Sequence, residues 1–349
     1  MKQYTSLYFV GAGGIGMSAL VRYFLAKGYK VAGYDRTQSP LTTELKAEGL
    51  EIVYEESVES IPDYCRNPET TLVVYTPAIP ASHVGLVYFR EHGFRVVKRA
   101  ELLGLITQSS KGLCFAGTHG KTTTSSMAAH IFHESPIGCN AFLGGILRNY
   151  NSNLILSEQS PFTVIEADEY DRSFHWLHPY MAVVTATDPD HLDIYGTEEA
   201  YLESFARFTS LIQPGGCLIM KKGIKLVPSV KENVKIYTYS ARDGGDFHAG
   251  NIRIGDGTIV FDFVMPEGSV ADIELGVPVE INIENAVAAM AIAWLNGVSG
   301  DDMRRAMASF KGAKRRFEFW VRRPDRVMID DYAHHPDELK ASIRSVKAL

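Results

Sequence analysis

The stretch CFAGTHGKTTTSS, residues 114–126, joins a short apolar run to a loop that contains Gly117, Gly120, Lys121 and Thr122. Successive backbone N–H groups of such a loop can surround an anion. A lysine there reaches the β- and γ-phosphates of a nucleotide, and the threonine hydroxyl is placed to bind Mg²⁺. The helix predicted after the loop adds the positive end of its dipole. The stretch therefore predicts a triphosphate-binding site between a strand and a helix.

The spacing of this loop departs from the usual phosphate-loop pattern, G-x-x-x-x-G-K-[ST]. Phe115 stands where that pattern has its first glycine, and Gly117 lies only three residues before Gly120. The alternative interpretation is a glycine turn that carries an exposed lysine.

A second glycine loop lies near the N-terminus, in FVGAGGIGMSAL, residues 9–20. Its G-x-G-x-x-G spacing falls between a predicted strand and a predicted helix, and Asp35 closes the next strand, 19 residues past Gly16. This pattern indicates a site for the diphosphate of a nucleotide, with the acid near ribose hydroxyls. The pattern does not identify the nucleotide; NAD is the default candidate, and a tight structural turn is the alternative.

Alternating strand and helix patterns surround both loops, which predicts parallel sheets covered by helices. The N-terminal domain is expected to be Rossmann-like, over residues 1–107, and to end in a polar linker. A central P-loop ATPase-like α/β domain, 108–312, includes a β-rich part with a Gly-Asp-Gly hairpin and an alanine-rich helix at 282–298. Residues 313–349 are expected to begin a third α/β domain.

Two acidic segments follow predicted strands of the central domain, at the end of a parallel sheet where ligands bind. Carboxylates suit Mg²⁺, and a histidine beside it is less expected. The candidate side chains are Glu166, Asp168, Glu169 and Asp171 in VIEADEYDRSF, and Asp188, Asp190, His191 and Asp193 in TATDPDHLDIYG.

Bulk composition restricts the class of protein. The chain is 46% hydrophobic and 22% charged, with a net charge of -6, which argues against a nucleic-acid-binding or membrane-binding role. The four cysteines are dispersed without a CxxC pair, and there is no signal-peptide pattern and no membrane-spanning run, which together predict a cytoplasmic protein. The expected oligomeric state is a monomer or a homodimer. A basic cluster at 311–326 is either a solvated face or part of a phosphate site.

The motifs GTHGKTTT, EADEYD, DPDHLD and DDYAHHP together resemble those of the Mur ligase family, over residues 9–337. The N-terminal GAGGIGMSAL is most similar to the family member that adds L-alanine to UDP-N-acetylmuramate. The resemblance implies the small-molecule substrates UDP-N-acetylmuramate, L-alanine and ATP, together with Mg²⁺.

The resemblance also assigns roles to particular residues. The UDP-sugar would lie against Gly11, Gly13, Gly14, Ile15, Gly16, Asp35, Thr76 and Ala78. ATP would contact Gly117, Thr118, His119, Gly120, Lys121, Thr122, Thr123, Asn282, Asn285, Arg316 and Asp331. The metal ligands would be Thr122, Glu166 and His191, and the catalytic set Lys121, Glu166, His191 and Arg316.

Four positions qualify that assignment. Ile281 stands where the family has a histidine in its adenine-contacting motif, so an adenine contact from this position is in doubt. Arg315 stands beside the arginine matched to the ATP phosphates. His334 and His335 are weaker candidates for the same cleft.

The implied reaction is ATP-driven amide formation. The lactyl carboxylate attacks the γ-phosphate to give an acyl phosphate, which the amine of L-alanine then attacks. The general base is not identifiable; His191 or a neighbouring acid could serve. Because only residues 313–349 match the start of the family's third domain, we expect a truncated form that binds UDP-sugar, binds ATP weakly and ligates poorly or not at all.

Three alternatives stay open. A related ligase reattaches a recycled murein tripeptide to the same UDP-sugar. An NAD-dependent oxidoreductase would use the N-terminal loop but leaves Lys121 unexplained. A non-catalytic nucleotide-dependent module would bind ATP without dependence on the UDP-sugar.

Overall fold

The computed structural model describes residues 3–242, 244–323, 325–333 and 336–347. The chain divides into two compact units, Met1–Ser109 and Ser110–Leu349. The division falls two residues after the first predicted domain boundary. Residues 313–349 are grouped with the central part in the second unit, so the boundary at 313 stays a prediction.

The N-terminal unit is a parallel sheet covered by helices. Its strand order is β3-β2-β1-β4-β5, and every pair of neighbours is parallel. The order reverses at β1, which is where such folds bind ligands beyond the strand ends. Its elements are β1 (Ser6–Val10), α1 (Ile15–Ala26), β2 (Lys30–Tyr34), α2 (Pro40–Ala47), β3 (Glu51–Val53), β4 (Thr71–Tyr75), α3 (Val84–Glu91), β5 (Arg95–Lys98) and α4 (Arg99–Thr107).

The second unit contains a sheet of ten strands among its described residues. The order is β15-β14-β13-β12-β11-β10-β6-β9-β7-β8, parallel from β13 to β7 and antiparallel at both edges. Its strands and helices run as β6 (Lys111–Ala116), α5 (Lys121–Glu134), β7 (Asn140–Leu147), β8 (Ser152–Ile155), β9 (Phe162–Glu166), β10 (Pro179–Val184), α6 (Leu192–Tyr195), α7 (Glu198–Ser210), β11 (Cys217–Lys221), β12 (Lys235–Ser240), β13 (Phe247–Gly255), β14 (Thr258–Met265), β15 (Gly268–Glu274), α8 (Ile281–Leu295) and α9 (Gly300–Ser309). The unit ends with β16 (Glu318–Arg323), β17 (Arg326–Asp330) and α10 (Pro336–Lys347).

The predicted α/β architecture is confirmed in both units. The Gly-Asp-Gly turn joins β13 and β14 as an antiparallel hairpin, with φ values of 51° at Asp256 and 69° at Gly257. The alanine-rich helix is α8, whose residues from Ile283 to Ala293 are buried except for Glu284, which is half-buried. Small side chains let α8 lie close to α5, the helix that begins at Lys121.

Two parts of the second unit differ from the sequence prediction. The strands β7 and β8 were not predicted, and β7 carries the glycine pair of FLGGIL. The strand and helix expected after residue 326 are present as β17 and α10, but the described partner of β17 is the antiparallel strand β16. No helix in the described part of the chain is long and apolar enough to cross a membrane.

A buried histidine connects α5 to α9. His130 is 1% exposed, and its Nδ1 and Nε2 atoms lie 2.6 Å from the Tyr150 hydroxyl and 3.0 Å from Ser309 Oγ. Tyr150 in turn donates to Glu134 across 3.0 Å. Burial lowers the pKa of His130 from 6.5 to about 4, so the imidazole is neutral in the folded protein at neutral pH.

This histidine predicts a pH-dependent stability. The unfolded chain binds a proton at His130 near pH 6.5, whereas the folded protein binds it only near pH 4. The contribution of His130 to the free energy of unfolding is therefore fully present above this window and is lost as the pH falls through it. Urea unfolding of the wild type should lose about 2 kcal/mol from this group between about pH 7.5 and about pH 5. In His130→Asn that part of the pH dependence disappears.

His248→Asn, in β13 of the same unit, is the control and should keep the wild-type pH dependence. Identical pH dependence in His130→Asn and the wild type would contradict the prediction.

Candidate active site

The loop between β6 and α5 depends on two glycines with positive φ, 137° at Gly117 and 82° at Gly120. A Cβ on Gly117 would lie 2.8 Å from the backbone nitrogen of Ala186, and one on Gly120 would lie 2.9 Å from Asn285 Oδ1. The Thr118 N–H donates to the Ala186 carbonyl across 3.1 Å, which fixes the loop to the end of β10. The loop is thus a closely packed backbone turn at the N-terminus of α5.

The Lys121 side chain is turned toward its own loop and is only 14% exposed. Its Nζ donates to the Gly117 carbonyl across 2.6 Å and lies 2.9 Å from Oε1 and 2.8 Å from Oε2 of Glu169. Glu169 is 1% exposed, and its burial raises the pKa of the carboxyl while Lys121 opposes that shift. The interpretation of an exposed lysine on a glycine turn is therefore wrong. Glu169, one of the candidate metal acids, is instead the partner of this lysine.

Thr122 and Glu166 come together beside the loop. Glu166 lies opposite Phe115 in the parallel pairing of β6 and β9, so it emerges where the loop begins. The Thr122 hydroxyl donates to Glu166 Oε1 across 3.1 Å, and the Gly144 N–H donates to Oε2 across 3.1 Å. Burial raises the pKa of Glu166, with Lys121 and Thr122 acting in the opposite direction.

This pair of oxygen ligands fits Mg²⁺, which keeps several waters and binds through one or two carboxylates together with substrate phosphates. Gly144 belongs to the same arrangement, because a Cβ there would lie 2.6 Å from Glu166 Oε1. Gly144 was not among the predicted site residues; the double glycine in FLGGIL is the sequence feature that marks this position. Thr122 and Glu166 would hold the metal.

His191 lies in a different setting. It has a φ of 52°, its N–H donates to Asp190 Oδ1 across 2.7 Å, and its ring packs edge-on against Tyr170. None of the hydrogen bonds or ion pairs of the described residues joins it to Thr122 or Glu166. Within those residues, no group of three histidine, cysteine or acidic side chains could hold a metal. Its role as a ligand stays a prediction.

Asp168 and Asp188, one from each acidic segment, have local hydrogen-bond partners. Asp168 Oδ1 accepts from the Tyr170 N–H across 3.1 Å. The backbone carbonyl of Asp188 accepts from the Thr118 hydroxyl across 2.7 Å, so the second segment lies against the phosphate loop. Both segments therefore meet at this end of the sheet.

A cleft leads from the loop along the start of α8. Seven of the predicted ATP-binding residues line it: His119, Gly120, Thr123, Asn282, Asn285, Arg316 and Asp331. Apolar side chains, including Val279, Phe310 and Phe317, form the rest of its wall. A mostly apolar cleft with a few polar groups suits a planar base next to a phosphate site.

The two asparagines of α8 hold the cleft together. Asn285 donates to Asn282 Oδ1 across 3.1 Å and accepts from the Thr124 hydroxyl across 3.1 Å. Asn282 donates to the Val277 carbonyl across 3.2 Å. Ile281 stands at the cleft with 47% of its surface exposed, so the position matched to the family histidine offers only an apolar contact.

The segment that carries Arg316 crosses β7. The Lys314 N–H donates to the Ile146 carbonyl across 2.8 Å, and Ala313 forms a bridge with Leu147. The Arg316 guanidinium lies 5.7 Å from the ring centre of Tyr332, which the sequence analysis did not identify. Arg316 of the basic cluster lines the cleft.

Asp331 belongs to the same wall, and Arg315 lies beside it next to Tyr332. The Arg315 guanidinium lies 5.1 Å from the Tyr332 ring centre. Asp331 Oδ1 accepts from the Phe317 N–H across 3.2 Å, and its Oδ2 accepts from the Ser342 hydroxyl. His334 and His335 lie outside the described residues.

The N-terminal glycine loop is held by Asp35. The Gly13 N–H donates to Asp35 Oδ2 across 2.7 Å, and the Thr37 N–H donates to Oδ1 across 3.2 Å. Gly11 has a φ of 89°, and a Cβ there would lie 2.8 Å from the Thr76 methyl carbon. The structure thus brings Gly11, Gly13, Asp35 and Thr76 together.

The remaining predicted residues of this loop are at its edge. Gly14 is the N-terminal cap of α1, and Ile15 begins that helix with its side chain exposed. A Cβ on Gly16 would lie 2.8 Å from the guanidinium of Arg99. Ala78 is exposed in the turn after β4.

Known proteins are similar to this chain along most of its length. The model of the Mur ligase middle domain matches residues 115–293, and that of the Mur ligase family catalytic domain matches residues 6–111. A protein of Parabacteroides distasonis named UDP-N-acetylmuramate–L-alanine ligase is 65% identical over 349 residues, which is 100% of this chain and 76% of that protein. The chain therefore belongs to the Mur ligase family.

Two solved structures are similar. The UDP-N-acetylmuramate–alanine ligase of Thermotoga maritima has a TM-score of 0.83 and 25% identity, over 98% of this chain and 77% of that one. The UDP-N-acetylmuramate:L-alanyl-γ-D-glutamyl-meso-diaminopimelate ligase of Neisseria meningitides has a TM-score of 0.77 and 22% identity, over 89% of this chain and 100% of that one. The second likeness bears on the fold alone.

Gly144→Ala tests the Thr122–Glu166 pair. Gly144 has no positive φ, so alanine strains no backbone, but its Cβ would displace the Glu166 carboxylate. We expect Mg²⁺-dependent ATP binding to weaken by about tenfold or more. Isothermal titration with ATP, with Mg²⁺ and with EDTA, measures the effect.

Gly255→Ala is the control, because a Cβ there meets nothing within 4 Å and its φ is also not positive. Undiminished Mg²⁺-dependent binding by Gly144→Ala would show that Glu166 does not serve the metal.

Proposed function

We propose that the chain is an ATP-dependent ligase that joins L-alanine to the lactyl carboxylate of UDP-N-acetylmuramate in cytoplasmic peptidoglycan precursor synthesis. The observation that carries the proposal is the 65% identity, along the whole chain, to a protein named for that reaction. The loop of Lys121, the Thr122–Glu166 pair and the adjoining cleft are the parts that such a reaction needs.

The first step brings two anions together. The carboxylate of the sugar attacks the γ-phosphorus of ATP, the bond to the β,γ-bridging oxygen breaks, and an acyl phosphate and ADP form. Concentrated positive charge lowers this barrier. Lys121, Arg316 and the loop N–H groups supply it from the protein, and Mg²⁺ held by Thr122 and Glu166 adds charge at the phosphate oxygens when bound.

The second step forms the amide bond. The amine of L-alanine attacks the acyl carbon, a tetrahedral state collapses, and phosphate leaves as the amine loses a proton. The loop N–H groups and Lys121 stabilise the negative charge on the departing phosphate. His191, or an acid beside it, is our candidate for the group that accepts the proton.

The cleft would hold the nucleoside part of ATP. Its apolar wall offers a surface for the adenine ring, and Asp331 stands at the same cleft as a candidate for the ribose hydroxyls. Ile281 removes a polar contact that the family has there, so recognition of adenine would depend on shape and on Asn282 and Asn285. The N-terminal loop, with its glycines around Asp35, would hold the diphosphate of the UDP-sugar.

The assay follows the product. With UDP-N-acetylmuramate, L-alanine and Mg²⁺-ATP, the chain should form ADP, phosphate and the alanyl sugar nucleotide in equal amounts, identified by mass spectrometry. UDP-N-acetylglucosamine, which lacks the lactyl carboxylate, is the matched control and should give no product. The criterion is the identity of the product and its dependence on all three substrates, at whatever rate.

The same assay separates the alternatives. Preference for the murein tripeptide over L-alanine would favour the murein tripeptide ligase. ATP binding or hydrolysis that ignores the sugar nucleotide would favour a regulatory module. Tight NADH binding with no affinity for the UDP-sugar would favour an oxidoreductase. Each of these results would contradict the proposal.

Asp35→Ala tests the assignment of the N-terminal loop. The change leaves the Gly13 and Thr37 N–H groups without their acceptor, so the loop loses its shape. UDP-N-acetylmuramate binding should weaken by about tenfold. ATP binding should stay unchanged, and equal loss of both ligands would count against separate sites.

A further inference from the structure

We propose that Glu169 is a positioning residue that fixes the ammonium group of Lys121 for phosphate transfer, rather than a metal ligand. The inference rests on the proposed function, since it concerns the lysine that meets the ATP phosphates. It is argued from four groups of contacts around Glu169.

The ammonium group of Lys121 has three N–H donors, and their partners are largely accounted for. One donates to the Gly117 carbonyl across 2.6 Å, and another to Glu169 Oε1 across 2.9 Å. The third has the Thr118 carbonyl at the long distance of 3.5 Å. Glu169 Oε2 lies 2.8 Å from Nζ in the ion pair but accepts no further hydrogen bond from the described residues, so two short hydrogen bonds orient the group and one donor is left for a phosphate oxygen.

The burial of Glu169 makes this orientation hard to change. The residue is 1% exposed, and both of its carboxylate oxygens lie within 3 Å of Lys121 Nζ. A buried carboxylate that loses its cation is left uncompensated in a poor solvent for charge. The lysine is consequently held by a partner that water does not replace.

The backbone of Glu169 is fixed as well. Its carbonyl accepts from the Tyr195 hydroxyl and from the Arg172 N–H, the latter across 2.9 Å. The Tyr195 ring packs edge-on against Tyr201 with centroids 4.8 Å apart, and the Tyr201 hydroxyl lies 2.9 Å from Thr118 Oγ1. Together with the Lys121–Glu169 pair, these contacts form a closed series that starts at Lys121 and ends at Thr118, both at the phosphate loop.

The segment of His191 is attached to the same set of contacts. The Tyr195 N–H donates to the His191 carbonyl across 3.1 Å, and Thr118 Oγ1 donates to the Asp188 carbonyl across 2.7 Å. The position of Glu169 thus couples Lys121 to the neighbouring acidic segment. A displaced Glu169 would loosen both.

This role separates rate from affinity. The negative charge of Glu169 stands next to the phosphate site, so it opposes ATP binding while it orients Lys121. A residue that merely supports the fold would show the reverse, a loss of stability and of ATP affinity with the turnover of the folded fraction unchanged.

The test compares three variants with the wild type. Glu169→Gln keeps the size and removes the charge, and Glu169→Asp keeps the charge but draws it back by one methylene group. Glu198→Gln is the matched control, since Glu198 also pairs with a lysine, Lys225 at 2.6 Å, on the surface of α7. Mg²⁺-ATP affinity and the rate of ADP formation at saturating substrates are measured for each.

We expect Glu169→Gln to bind ATP as tightly as the wild type or up to about tenfold more tightly, with turnover lowered by about tenfold or more. Glu169→Asp should lose similar turnover without the gain in affinity. Wild-type turnover in both variants, or parallel loss of affinity and turnover, would overturn the inference.

A second readout does not depend on ligation. Acetic anhydride labels exposed lysines, and peptide mass spectrometry reports the rate at Lys121. That rate should rise several-fold in Glu169→Gln and stay unchanged in Glu198→Gln. Preference for the murein tripeptide, or ATP hydrolysis that ignores the sugar nucleotide, refutes the proposed function, whereas an unchanged labelling rate at Lys121 refutes the role of Glu169.

Discussion

The site depends on one constraint: a loop with glycine at positions 117 and 120 must fit between the ends of β6 and β10 and the start of α8. Ala186 and Asn285 approach Gly117 and Gly120 so closely that any Cβ would collide with them. Because the loop is fixed in this way, the first residues of α5 have no freedom. Lys121 is turned back over the loop, and Thr122 meets Glu166. The conformation of the loop therefore also determines where the side chains around it are placed.

The charges around the loop form two pairs of different kinds. Lys121 and Glu169 are a cation and an anion that satisfy each other, so their burial is tolerated without a ligand. The second pair is Thr122 and Glu166; among the described residues, no ion pair joins Glu166 to a cation. Burial raises the pKa of Glu166, while the charges of Lys121 and Arg316 act in the opposite direction. The first pair needs no metal, while the second has oxygen atoms to offer one. This difference separates two glutamates that stand three residues apart.

The sequence was sufficient to predict both glycine loops. Only glycine fits where the backbone packs so closely, so the spacing of the glycines along the sequence marks each loop. The sequence was also sufficient for the parallel sheets and for the approach of the acidic segments to the loop. The local pattern alone was not sufficient to choose among Glu166, Asp168, Glu169 and Asp171; the family resemblance selected Glu166. That choice depends on register and on a sharp turn after Glu169, where Asp171 and Arg172 have φ values of 51° and 54°. An aspartate followed by an arginine does not by itself predict two successive residues with positive φ.

The strand order explains why residues far apart in sequence meet at the loop. In the second unit, β9 and β10 flank β6, so Glu166 lies opposite Phe115 and Val184 lies opposite Ala116. Each segment that follows these strands must begin beside the loop. The N-terminal unit repeats the principle with β1 between β2 and β4, which places Asp35 and Thr76 at its glycine loop. The two glycine loops of the chain thus share one arrangement, a glycine turn after an inner strand whose parallel neighbours supply the side chains around it.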